Sequence, residues 1–186
     1  TLLRLVCDGF AYTLVFTSGG TEADNTAIFS AAKRGNVVTD EGEHAAVYEC
    51  FKSLKAAGGD VRFAPLGRDG AVNAEKLLSL VDEKTSLVSV MHVNNETGAI
   101  NDINALAKRV KEKNPRCLFM SDGVQSYGKI SVYLNGAVDF YTLSAHKIGG
   151  MKGTGALIVK KGITLTPRLF GGGQEGGLRS GTENVF

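Results

Sequence analysis

The chain has 186 residues, room for one domain or for one and part of a second at ~100–200 residues per domain. Its 21 Lys and Arg against 19 Asp and Glu leave a formal charge of +2, which excludes a bulk electrostatic attraction to nucleic acid or to an anionic membrane. Hydrophobic residues at 43% and charged ones at 22% exclude an intrinsically disordered chain, and 24 glycines with only three prolines and no Gly-X-Y period exclude a collagen-like one. Eleven of those glycines fall in residues 149–186, where they serve either a solvent-exposed linker or turns and close approaches around a ligand.

Taken in chain order, apolar β-rich runs alternate with helical patterns. Tyr12–Phe16 reads as the first strand and leads into Thr17-Ser18-Gly19-Gly20-Thr21-Glu22 and a helix with the small-residue face Ala27, Ile28, Ala31 and Ala32. Val37–Thr39 and Val61–Ala64 read as strands flanking a helix in which Val47, Cys50, Phe51 and Leu54 share one face. Ser86–Val93 is the next strand, followed by a helix carrying Ile103, Leu106, Ala107 and Val110, with Lys108–Lys113 as its solvated face and last turn. Cys117–Met120, Phe140–Leu143 and Ala156–Val159 complete the strands. Several runs are apolar on both faces, as strands covered by helices on each side must be. The expectation is an α/β fold in three layers, a mainly parallel sheet with helices on both faces.

No signal peptide is visible at Thr1, and no apolar run approaches the ~20 residues of a membrane helix. Cys7, Cys50 and Cys117 are odd in number and lack C-x-x-C spacing, which fits a reduced, cytoplasmic compartment. Without a secretion signal, the sequon Asn95-Glu96-Thr97 carries no weight. Both ends look cut from something longer.

In sheets of this kind ligands sit beyond the carboxyl ends of the strands. The stretch Thr17–Glu22 is either a phosphate cup at a helix N-terminus or a simple Ser/Thr cap. Asp122, after its strand, is a cap or a carboxylate that holds a proton on a ring nitrogen; Gln125 lies one turn on. Lys147, in Ser144-Ala145-His146-Lys147 at a strand exit, is a surface residue or a Schiff-base lysine. His44 opens a helix and either caps it or covers an aromatic ring, and His92 reads as a core histidine. No spacing suits a metal site, so none is expected. Gly171–Gly176 satisfies G-x-G-x-x-G, but more glycine follows it where a dinucleotide site needs a helix.

Together these stretches resemble the cysteine desulfurases of the NifS/IscS-like group, in the class V aminotransferase family of fold-type I pyridoxal-phosphate (PLP) enzymes. The matching segments are Phe16–Asn25, Glu43–Val47, Met91–Gly98, Asp122–Lys129, Ser144–Gly155 and Gly171–Asn184, in the family's order. Met151 stands where the family motif usually has a proline. The resemblance implies a PLP-dependent enzyme that converts L-cysteine to L-alanine and passes sulfur, as a protein persulfide, to an acceptor protein for iron–sulfur cluster assembly or tRNA thiolation. It implies that Lys147 and His44 are catalytic, Lys147 as the Schiff-base lysine and α-proton shuttle, His44 as the stacking and proton-transfer residue. Asp122 would pair with the pyridinium nitrogen and Gln125 with the phenolic oxygen, with Asn95 nearby. Gly20, Thr21, Ser144 and His146 would hold the phosphate, and Thr182 would reach the phosphate of a neighbouring subunit in a homodimer. It also implies that residues 1–186 are the PLP-binding large domain, with the nucleophilic cysteine, the substrate-carboxylate arginine and the small domain outside this chain. Another class V enzyme, such as a selenocysteine lyase or an aminotransferase, or a non-catalytic α/β binding domain, remains open at this point.

Overall fold

Two strand sequences, Asn36–Asp40 and Phe140–Ser144, are buried at every position, which only a sheet covered on both faces can provide. The computed structural model describes residues 2–184 and places both in one seven-stranded sheet. Its elements run β1 (Tyr12–Thr17), α1 (Gly20–Ala31), β2 (Asn36–Asp40), α2 (Ala45–Ala56), β3 (Asp60–Ala64), α3 (Ala74–Leu80), β4 (Thr85–Ser89), α4 (Ile103–Lys113), β5 (Leu118–Asp122), β6 (Phe140–Ser144) and β7 (Gly155–Lys160). The strand order is β1-β7-β6-β5-β4-β2-β3. From β3 across to β6 every pairing is parallel, and β7 runs antiparallel to both β6 and β1. The expected three-layer, mainly parallel α/β architecture is therefore observed.

Each face has its own core. On one, Ala23, Ala27 and Ile28 of α1 and Val47 and Phe51 of α2 pack on Val37, Leu87, Met120, Phe140 and Leu157. On the other, Leu77 and Leu78 of α3 and Ile103, Leu106 and Val110 of α4 pack on Val38, Val88, Phe119, Tyr141 and Ile158. Strand residues of alternating parity thus feed opposite layers. Among the described residues no helix is long and apolar enough to cross a membrane.

Two expectations need correction, and one helix was not anticipated. The strand read as Ser86–Val93 spans only Thr85–Ser89. Beyond Ser89, the Val90 and His92 N–H groups still donate to the Met120 and Asp122 carbonyls (3.1 and 2.9 Å), but on its other side the chain folds back on itself, Val93 bridging Ile100 and the His92 carbonyl accepting the Asn101 N–H (2.9 Å). Lys108–Lys113 is not uniformly solvated. Lys111 pairs with buried Asp139 and Lys113 donates to the Leu78 carbonyl (2.6 Å), so two of its lysines fasten α4 down. Helix α3 belongs to none of the helical patterns read from the sequence.

Candidate active site

Most strands point their carboxyl ends at one edge of the sheet, and the loops leaving them enclose a cavity of about 260 Å³. That lies just below the ~300–1,000 Å³ typical of ligand pockets and suits a small ligand. Nine of the ten residues expected at the site meet there: Gly20, Thr21, His44, Asn95, Asp122, Gln125, Ser144, His146 and Lys147. Thr182 does not. It lines a second hollow with Phe16, Thr17, Gly153, Thr154 and Arg179.

The mouth of α1 is built to leave its N–H groups free of side-chain caps. Its N-cap is Gly19, which has no side chain to offer, so the Ser/Thr-cap alternative falls. Ser18 turns away instead, its N–H and Oγ–H both donating to Glu22 Oε2 (2.8 and 2.6 Å). Gly20 is needed by space, since a Cβ there would lie 2.8 Å from Val124 Cγ2. Uncapped N–H groups and the helix dipole make this end a seat for an anion.

His44 is the N-cap of α2, its Nδ1 accepting the Ala46 N–H (3.1 Å). That bond fixes the ring and puts its proton on Nε2. Ser144 Oγ lies 2.8 Å from His146 Nδ1 at the start of the 3₁₀ turn Ala145–Ile148, which carries Lys147 out of β6. Gln125 Oε1 accepts from Lys129 Nζ (2.6 Å).

Asp122 ends β5. It is buried, and its Oδ1 accepts the Val124 N–H (2.8 Å). Burial raises its proton affinity above the ordinary carboxylate range, while the Val124 N–H, His44 and Thr142 favour the anion. A buried carboxylate at a cavity wall with no buried basic side chain beside it fits a cationic ring nitrogen. Together with the anion seat at α1 and the amine of Lys147, these residues fit a phosphorylated pyridine aldehyde.

Sequence reasoning missed Asp24, which also lines the cavity and is fully buried. The available signal was its helical spacing: Asp24, Ala27, Ile28 and Ala31 follow i, i+3, i+4 and i+7, so it lies on the face that packs on the sheet. His92 is buried with Nδ1 2.9 Å from the Tyr141 hydroxyl, a satisfied core histidine away from the cavity. Cys7, Cys50 and Cys117 are buried and line no part of the cavity. Burial pushes the Cys50 thiol up to about 11 and the Cys117 thiol up to about 12.

An α/β sheet with a polar cavity at its carboxyl edge, holding an anion seat, a buried carboxylate and a lysine, defines a class of cofactor-dependent enzyme domains. The chain belongs to the aminotransferase class-V family, whose model matches residues 5–186. It is 40% identical to a cysteine desulfurase of Nostoc sp. over 177 residues, which cover 92% of this chain and 44% of that protein. It is also 40% identical to a cysteine desulfurase of Bradyrhizobium diazoefficiens, across 100% of this chain and 48% of that one. A NifS-like protein of known structure superposes with a TM-score of 0.89 at 42% identity, covering 92% of this chain and 49% of that one. The chain spans about half the length of the curated relatives it matches.

Proposed function

We propose that this chain is the PLP-binding part of a cysteine desulfurase, a reading carried by the convergence of Lys147, Asp122, His44 and the uncapped α1 N-terminus on one cavity. The bound cofactor supplies an electron sink for the bond-breaking at the substrate's α-carbon. The first turn of α1, with Gly20, Thr21, Ser144 and His146, binds its phosphate. Asp122 would hold the proton on the ring nitrogen, and His44, fixed by the Ala46 N–H, would cover the ring with its Nε2–H available for transfer. Gln125 and Asn95 would hold the phenolic oxygen, and Lys147 Nζ would bind the cofactor's carbonyl and move the substrate's α-proton.

The likeness to the desulfurases supports L-cysteine as substrate and a sulfur-acceptor protein as partner, in iron–sulfur cluster assembly or tRNA thiolation, and the unpaired cysteine pattern supports a cytoplasmic setting. The nucleophile that takes the sulfur is none of Cys7, Cys50 and Cys117: each is buried and has its thiol raised. A homodimer in which Thr182 faces the neighbouring site is supported by the exposed Phe16, Ile148, Met151 and Phe170 in the segments around the two hollows.

The test is spectroscopic. PLP added to the full-length protein that contains this chain is expected to give the long-wavelength absorption of lysine-bound cofactor, and Lys147→Ala is expected to abolish it. A folded full-length protein that shows no such band, or a band that survives Lys147→Ala, overturns the reading.

A further inference from the structure

Among the described residues, the buried side-chain oxygens without a hydrogen-bond partner belong to six residues: Asp24, Thr39, Asp40, Glu43, Ser121 and Thr142. Asp24 is the extreme case. It is 0% exposed, neither carboxylate oxygen has a partner at bonding distance, and it forms part of the cavity wall. Asp122 faces it from β5, and Thr142, the register partner of Asp122 on β6, stands close enough to favour the charged form slightly without closing a bond. Glu43 and the Cys50 thiol also face Asp24, from the loop after β2 and from α2. On the cavity side stand His44, His146 and Lys147, all solvent-exposed.

No buried basic side chain thus lies among these acids. Two carboxylates sharing a desolvated site without a cation do not both ionise. The split between them follows from their partners: Asp122 Oδ1 accepts the Val124 N–H, while neither oxygen of Asp24 has a partner at bonding distance. The proton goes to Asp24.

We propose that Asp24 is a positioning residue of this site, holding a proton beside Asp122 and so confining the pair's negative charge to Asp122. An ionised Asp24 would raise the proton affinity of Asp122 and weaken its hold on a ring-nitrogen cation. Only the identity of that cation rests on the PLP reading; the proton on Asp24 belongs to the chain itself.

Infrared spectroscopy of the cofactor-free chain at pH 8, with and without ¹³C in the aspartate γ-carboxyl, tests this. Asp40, raised to about 6, is ionised at that pH. The expected result is a protonated-acid carbonyl band that shifts with the label, disappears in Asp24→Asn and persists in Asp122→Asn. Absence of a labelled acid band, or its persistence in Asp24→Asn, overturns the proposal; so does its loss in Asp122→Asn while Asp24→Asn keeps it. Should Asp24→Asn not fold, the wild-type chain and Asp122→Asn decide between these outcomes. With PLP present, the neutral amide of Asp24→Asn is expected to keep affinity within about threefold, and Asp122→Asn to lose more than about tenfold. The reverse order overturns the proposal. Failure of PLP to bind the full-length protein overturns the cofactor reading and leaves the infrared result standing.

Discussion

Asp40 shows what burying an acid at a strand end does to the whole chain's response to pH. It closes β2, is buried, and accepts one N–H, from Gly42 (2.8 Å), while Oδ2 has no partner. Burial pushes its carboxyl up to about 6, with Glu41 adding to the rise and the Gly42 N–H opposing it. Between about pH 4 and pH 6 the folded chain therefore binds a proton that the unfolded chain has released, so stability falls as pH rises through that window. About two pKa units correspond to at most about 3 kcal/mol. Glu22 works the other way: its own burial favours the proton, but bonds from Arg179 and Ser18 outweigh it and hold the carboxyl below its ordinary value. A direct measurement is the difference between wild type and Asp40→Asn in urea unfolding at pH 4 and pH 7. The wild type is expected to lose more stability over that interval than the variant, which keeps the Gly42 contact and cannot ionise. Equal losses would show that Asp40 ionises freely in the fold.

At the scale of elements, β7 comes so close to the loop before α1 that one residue can test the cup's support. Gly155 opens β7 opposite Thr17 on one side and Ser144 on the other. A Cβ there would lie 2.6 Å from the Gly19 backbone and 2.8 Å from the Leu143 carbonyl oxygen. These are backbone atoms and cannot rotate aside, so Gly155→Ala is expected to cost about 1–3 kcal/mol in urea unfolding. It is also expected to weaken PLP binding, because the atoms displaced belong to the N-cap of α1. Unchanged stability and affinity would mean that the loop gives way freely. The elements themselves were legible where burial on both faces wrote an apolar run, as in β2 and β6. Helix α3 was not, because Ala74–Leu80 is only seven residues long with Leu77 and Leu78 as its buried pair. Asp24 was legible only in its spacing with Ala27, Ile28 and Ala31, since one acid in a helix otherwise reads as solvated until the sheet beneath it is known. The strand-exit residues Asp122 and Lys147 were readable because parallel sheets gather such exits at one edge.

On the scale of the whole molecule, the glycine-rich segment 171–184 turns out to be neither a linker nor a dinucleotide loop. It returns across the chain to the first strand and helix. Glu175 Oε2 accepts the Phe16 N–H (3.0 Å), and Arg179 donates from Nε and Nη2 to Glu22 Oε1 and Oε2 (2.9 and 3.3 Å). Glu175 holds this contact at φ 49°, a left-handed conformation that costs a non-glycine residue energy. The Arg179–Glu22 pair is 19% and 14% exposed, more sheltered than an ordinary surface pair, and bidentate. It also occupies the acid in the first turn of α1, so that Glu22 does not stand as a free negative charge beside the anion seat. Removing Arg179 leaves Glu22 with two donors from Ser18, whereas removing Glu22 takes away the bidentate partner of a sheltered guanidinium and leaves it only the fields of Glu175 and Glu183. Glu22→Ala is therefore expected to destabilise more than Arg179→Ala, and the double variant to cost less than the two singles together, with a coupling of about 1 kcal/mol. Hydrogen exchange across residues 171–184 should speed up in each single variant, while exchange in β5 and β6 stays slow. Strictly additive energies with unchanged exchange in 171–184 would show that the pair merely sits on the surface and that the segment is held by its own turns.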